Sequence, residues 1–444
     1  MPEMTKDALK AQVCAAIDRK RDEILALGAD LWRTPELGFK EHKTAARVSA
    51  EFAKLGIPHR TGIALTGIKG AVAGAKPGPC VAVLGELDAL GVPDHPEFNT
   101  TTGAVHACGH NAQLTALVAT AIGLIEGGAF AHFAGRVAFI AVPAEEFVEL
   151  EYRNELRRQG KLEFIGGKPE FIRLGEFDDV DMAMLTHLTS NPEDRCARIV
   201  ESSNGCIAKQ IQYLGKAAHA GGSPHRGVNA LYAAQIGLAA INAQRETFRD
   251  EDHIRVHPII TRGGEVVNVI PADVRMETFV RGKTTDAILE AEKKVDRSLR
   301  AGAVAMGATV NINTLPGYLP QVNDPTLTAI YRENAAAMYG AENCIVGGHQ
   351  NGSTDMGDLE HIMPAIQPSH RGGGGTGHGK DYHIADPVAA YLDAAKLMAL
   401  TVVDLLFDDA VTAREVLAAS KPRLTKDEYL AFMRGLTREE TYVG

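Results

Sequence analysis

The chain has 444 residues, a formal net charge of -10, 45% apolar and 23% charged residues. Its length exceeds the ~250 to 300 residues at which one hydrophobic core stops growing, so two structural units are expected. Ordinary globular composition excludes disorder, fibrous repeats and coiled coils, and acidic charge spread without a basic block excludes a surface that tracks phosphates, hence nucleic acid as a partner.

The opening stretch MPEMTKDALKAQVCAAIDRKRDE places Glu3, Lys6, Asp7 and Lys10 where a signal peptide needs an apolar core, and no run of about 18 apolar residues occurs. The expectation is a soluble, cytoplasmic protein with no membrane partner. Six cysteines (Cys14, Cys80, Cys108, Cys196, Cys206, Cys344) are too sparse for a disulfide scaffold and contain no CxxC pair. All but Cys108 read as small buried hydrophobes.

Apolar residues at helical spacing predict one helix from Thr5 to Trp32, ending before Pro35. HKTAARVSAEFAKLG predicts a second, closed by Gly56. Then come short apolar runs at 80–87, 136–146 and 181–188, with the helical NAQLTALVATAIGLIEG between the first two. Such alternation predicts an α/β unit with a doubly wound, mainly parallel sheet. Near Ser203 the character changes to a βαββαβ order, which forms a smaller α+β unit. After Pro316 the alternation resumes, with a long helix from Pro387 to Phe407. The reading is a catalytic unit, 1–203 and 315–444, interrupted by an insertion at 204–314.

Open α/β sheets bind ligands at the carboxyl ends of their strands, and polar clusters fall at such ends. In HACGHN, Cys108 and His110 are two apart, so both project to one side of an extended segment; thiolate and imidazole suit zinc, manganese or a similar divalent ion. A buried Cys with a capping His is the plainer alternative. Glu145 and Glu146 leave a core strand as adjacent carboxylates, costly unless a cation or proton separates them, so one binds metal and the other takes a proton from water. His187 ends MAMLTH, where a packed core histidine is the usual finding. GGGGTGHGKDYH carries His378 and His383; its Gly374, Gly379, Lys380 spacing imitates a phosphate-binding loop, but Asp381 replaces the Ser or Thr that would hold magnesium. Together the Cys, His, Glu, His, His set with an extra Glu suits two adjacent metals rather than one structural zinc.

The stretches PELGFKE, DAL, HACGHN, VPAEE, a strand-ending TH, HAGGSPHRGVNAL, NVIPAD, STDMGD and HGKDY stand in the order seen in the amidohydrolase branch of the aminoacylase and carboxypeptidase metallopeptidases. Between about residues 30 and 405 the chain resembles that branch, which includes aminobenzoyl-glutamate, indole-acetyl-amino-acid and hippurate hydrolases. The resemblance implies two divalent ions per chain, manganese or zinc, on Cys108, His110, Glu146, His187 and His378, with Glu145 as general base. It implies that 204–314 is a lid and dimerisation domain, so a homodimer. His219 looks like the family histidine that reaches a neighbouring subunit's site to steady the oxyanion, a loop histidine capping the helix near Asn229 being the alternative. Asn268 and Arg281 lie where the family binds a substrate carboxylate.

Three departures stand out: Asn111 in place of the common Asp, the polar stretch 149–164 where the family has a short glycine-containing turn, and Arg371 with the glycines before His378. The expected reaction is hydrolysis of the amide between an acyl or aroyl group and an amino acid, of the aminobenzoyl-glutamate kind. The alternatives are deamination of an aromatic amine or dipeptide hydrolysis at the same site. A non-catalytic binding relative is disfavoured because every expected position is filled.

Overall fold

The fold was taken from a computed structural model that describes residues 4–444; Glu3 of the N-terminal reading lies outside the described residues. The apolar runs become strands buried on both faces, as parallel sheets require. Strands β1 (His59–Ile63), β2 (Gly67–Ala73), β3 (Lys76–Glu86), β4 (Ala134–Val142) and β5 (Met182–Leu185), with the short strand Ala365–Ile366, form a sheet in the order β1-β2-β4-β3-β5-365–366. From β4 to 365–366 the strands are parallel, and β1 and β2 add an antiparallel edge.

Helices α1 (Lys6–Arg19), α2 (Arg21–Trp32), α3 (His42–Lys54) and α4 (His110–Glu126), with Ala394–Leu406, cover one face. On the other lie α5 (Leu150–Arg158), α6 (Gly167–Leu174), Met356–Ile362 and Lys426–Leu436. α4 is buried from His110 to Leu124 because α1, Ala394–Leu406 and β3 all pack on it. The single helix expected over Thr5–Trp32 is two: at Lys20 the amide bonds to Ile17 O (3.1 Å), a tightened turn that re-aims the apolar face. The long helix expected from Pro387 opens with a π-helical turn, Val388–Asp393. Stretch 149–164 contains a helix, α5, where only a polar segment was expected. Cys14 and Cys196 are half-buried rather than buried. No helix among the described residues is long and apolar enough to cross a membrane.

The second unit packs helices Ala230–Ala243 and Thr285–Met306 on one face of an antiparallel sheet. Its central strands Asp273–Gly282, Gly205–Leu214 and Thr309–Tyr318 pair in that order. Arg255–Val256 and Ile259–Arg262 add to the first of these. The βαββαβ order is as expected, but the chain's end was misassigned: Arg438–Val443 pairs with Thr309–Thr314 and adds a strand to this sheet. Arg438 fastens it to Glu292 (2.6 Å) and Asp296 (2.9 Å).

Three chain crossings join the units, the last just ahead of Arg438; the two at Gly205 and Pro320 lie side by side. They pass so closely that a Cβ on Gly205 would lie 2.6 Å from Pro320 N. Beside them His253 of the insertion packs against His349 of the main unit, centroids 4.3 Å apart and rings tilted by 49°. His349 Nε2 donates to Asn204 Oδ1 (3.0 Å) and Nδ1 shares a hydrogen bond with Ser202 Oγ (2.9 Å). Burial, with His253 and Lys283, lowers the His349 pKa from 6.5 to about 4. Between those values the unfolded chain binds the extra proton, so stability falls as pH drops from 6.5 towards 4. Thermal unfolding across that range is expected to show a steeper pH dependence for the wild type than for His349→Gln; equal slopes would count against it.

Candidate metal centre

Four segments deliver polar side chains to the carboxyl edge of the central sheet. β3 ends at Glu86 with Asp88 just beyond, β4 ends at Val142 ahead of Glu145 and Glu146, and His187 follows β5. Cys108 precedes α4, whose first residue is His110, with Gly109 between them at φ 101°. β4 therefore stops short of the expected 146, and the carboxylate pair sits on a loop that Ala144 enters with φ 56°. His378 arrives from the remote glycine-rich segment, a ribbon in which Gly373–Gly374 pairs with His383–Ile384. Gly375 has φ 74° and a Cβ there would lie 2.1 Å from Asp381 O, so only glycine fits. The loop docks through His378 N to Ala107 O, 2.7 Å.

Cys108, His110, Glu146, His187 and His378 converge. Ligand atoms of Cys108, His110 and His187 lie within 4.8 Å of one another, as do those of Cys108, Glu146 and His378, so the two triads share the Cys108 sulfur. Cys108 Sγ is 3.4 Å from His187 Nε2, and Glu146 Oε1 is 3.1 Å from His378 Nε2. His110 Nδ1 donates to Asp88 O (2.9 Å) and His187 Nδ1 to Leu188 O (2.9 Å), which leaves both Nε2 atoms facing the cluster as lone-pair donors. His110 Nε2 and Glu146 Oε1 are buried without an aligned hydrogen bond. A soft sulfur, three imidazoles and carboxylates with free buried atoms fit a pair of divalent cations.

The electrostatics agree. Burial and Glu146 push the Cys108 thiol up, but His110 and His187 outweigh them and bring it down to about 6, where thiolate forms readily. Glu146 is held at about 2, against its burial, by His378, which Glu146 in turn raises to about 11. Burial, Glu86, Glu146 and Asp355 all push Glu145 well above the ordinary carboxylate range. Two adjacent carboxyls are thus driven apart in proton affinity, Glu145 upward and Glu146 downward.

Sequence reasoning missed the supports. Asp88 receives Glu146 N on Oδ2 (2.8 Å) while Oδ1 faces His110 Nδ1 (3.2 Å). Glu86 joins a third cluster with His110 and Glu145, yet it is already paired with Lys168 Nζ (2.5 Å) and Gln113 Nε2 (2.9 Å). Lys168, fully buried, also pairs with Asp355. Tyr318 OH donates to Glu145 O. The DAL and STDMGD stretches contain Asp88 and Asp355, the one signal that could have found them.

The cluster floors a cleft of about 410 Å³ between the units, walled by Phe147, Phe279 and Tyr318 and by Arg281, whose Nη1 donates to Ser353 Oγ (3.1 Å). His219 and Asn268 do not line this cleft. They sit together on an exposed strip of the insertion, where Ala220 N donates to Asn268 O (2.9 Å) and His219 bridges to Val269. His219 Nδ1 accepts from Gly222 N (2.9 Å), so the ring orders its own loop and does not cap the helix at Asn229, whose own side chain does that.

Side chains able to hold metal at the carboxyl edge of an α/β sheet, under an inserted α+β unit, are the build of a metal-dependent hydrolase. The chain belongs to peptidase family M20/M25/M40, whose model matches residues 82–404. It is 28% identical to the Xaa-Arg dipeptidase of Mus musculus over 91% of this chain and 90% of that protein. It is 26% identical to an IAA-amino acid hydrolase of Arabidopsis thaliana over 77% and 76%. A dinuclear metal-binding peptidase of the M20 family from Bacillus subtilis shares the fold, with TM-score 0.63 and 21% identity over 88% of this chain and 99% of that one.

Proposed function

We propose that the protein is a dimetal amidohydrolase cleaving the amide between an acyl or aroyl group and an amino acid, with aminobenzoyl-glutamate as the type substrate. The observation that carries this is the pair of donor triads sharing Cys108 beside Glu145, in a cleft walled by aromatic rings. In this reading Cys108, His110, Glu146, His187 and His378 hold two ions, manganese or zinc. When bound, such ions acidify a water molecule and polarise a scissile carbonyl. Glu145 takes the proton of the attacking water and passes it to the leaving nitrogen, a task suited to a carboxyl of raised proton affinity. Phe147, Phe279 and Tyr318 give apolar surface for the acyl group, and Arg281 a fork for the substrate carboxylate.

The insertion then acts as lid and dimerisation domain. The strip bearing His219 and Asn268 also exposes Ile259, Ile260, Val266, Val267 and Val269, an apolar patch that a second copy would cover. In such a homodimer His219 steadies the oxyanion in the partner's cleft and Asn268 assists with the substrate carboxylate. Six free cysteines, one at the centre of the site, fit a reducing cytoplasm.

Dipeptide hydrolysis is the second reading, favoured by the match to the Xaa-Arg dipeptidase along 90% of that protein. Manganese- and zinc-loaded protein tested on aminobenzoyl-glutamate, N-acyl amino acids, dipeptides ending in Arg and aromatic amines separates the readings. The expected result is amino-acid release from N-acyl or N-aroyl compounds with kcat/KM roughly tenfold or more above the dipeptides. Dominant dipeptide cleavage would replace the first reading with the second, and ammonia release would overturn both.

A further inference from the structure

We propose that α5 is a brace between the insertion and the carboxylate loop, with Arg153 as the positioning residue that fixes Glu145 and Glu146. It rests on the reading of that pair as the working carboxylates, and gives a role to the stretch 149–164, for which the family resemblance offers no counterpart.

Arg153 is fully buried. Its Nη1 donates to Ala144 O (3.2 Å) and Ile165 O (2.8 Å) and its Nη2 to Glu146 O, so one planar group ties the carbonyls on both sides of Glu145 to the far end of the added stretch. The rings of Phe39 and Phe147 flank it at 5.3 and 5.6 Å. Among the described residues no carboxylate pairs with this guanidinium. A buried charge held by carbonyls alone, with its Nε unpartnered, is an expensive arrangement, and here two of the three carbonyls it gathers are those of the site loop. That loop needs holding, because Ala144 (φ 56°) and Glu149 (φ 54°) occupy the left-handed region, which non-glycine residues keep only where their surroundings over-determine it.

The other side of α5 grips the insertion. Arg275 Nη1 donates to Glu151 Oε1 (2.6 Å), and Asn154 Nδ2 donates to Gln210 Oε1 (3.0 Å). At 3.6 residues per turn, Arg153 points roughly 200° away from Glu151, so one helix reaches both units at once. Phe147, Leu150 and Ile165 share a small core with Cys206, Ala208 and Leu315 of the insertion. A displacement of the insertion therefore pulls α5, and α5 carries the group that sets the loop.

Two sets of variants test this. Glu151→Ala with Gln210→Ala cuts the outer attachment at partly exposed positions away from the cleft. It is expected to keep metal content and melting temperature while hydrogen exchange at amides 144–149 quickens by about tenfold, a population shift expected when a local opening is released. Arg153→Met is expected to lower kcat roughly 100-fold per folded, metal-loaded molecule with KM held within about twofold, as misplacement of reacting groups by about 1 Å does. Arg153→Lys should recover part of that loss. Unchanged exchange at 144–149 in the double variant, or full kcat in folded Arg153→Met, would overturn the proposal. The exchange experiment decides even if no tested compound proves to be a substrate, so the brace and the proposed reaction can fail separately.

Discussion

Replacing Cys108 by alanine is expected to empty both halves of the metal centre together. Its sulfur is the atom the two triads have in common, so its loss leaves His110 with His187 on one side and Glu146 with His378 on the other. Two-ligand remnants bind divalent ions weakly, and the loss should exceed the ~10 to 100-fold that even outer partners of a metal site cost. Elemental analysis of dialysed protein is expected to fall from about two ions per chain to less than one, with activity at background. His378→Ala makes the contrast: it removes a ligand from one triad only, on a side chain 54% exposed, so one ion should stay. A Cys108→Ala protein that still carries two ions would refute the shared-sulfur centre.

Glu145→Gln keeps the shape and the metal-facing atoms of its neighbours but removes the proton acceptor. The expected result is unchanged metal content with kcat lower by ~100 to 10,000-fold, the range of general base catalysis. Equal metal loss in Glu145→Gln and Glu146→Gln would show that the two carboxyls do not divide their work. The same variant tests His219. If His219 serves the partner's cleft, Glu145→Gln and His219→Ala chains, each nearly inactive alone, regain part of the activity on subunit exchange, because one mixed site then holds both residues intact. No recovery in demonstrated heterodimers would confine His219 to its own loop.

Strands buried on both faces could be read directly, since CVAVLGEL, RVAFIAV and MAMLTHL are near-continuous apolar runs, and so could the residues that end them. Other parts depend on partners far away in the chain. Lys168 pairs with Glu86 82 positions earlier and Asp355 187 positions later, and no local spacing announces such a contact. Arg153 reads as a surface residue in ELEYRNELRRQGKLEF, because only the assembled loop supplies carbonyls to bury it against. The closing REETYV is mostly polar and half-buried only at Glu440 and Tyr442, so little in it signals a strand. His219 and Asn268 could be picked out by motif, but on this chain they stand apart from the cleft, and the role proposed for them needs a second copy.

The strand Arg438–Val443 forms one border of the insertion's sheet. A sheet with two open sides can add copies indefinitely, and such stacking is the route to filaments. Here Arg438–Val443 is itself the border on one side, carrying Arg438, Glu439 and Glu440, and the other is the short border of Arg255–Val256 and Ile259–Arg262. Charged residues guard one border and shortness the other, and removing the last seven residues, 438–444, is expected to bare the uncharged run Thr309–Thr314 to pairing with another chain.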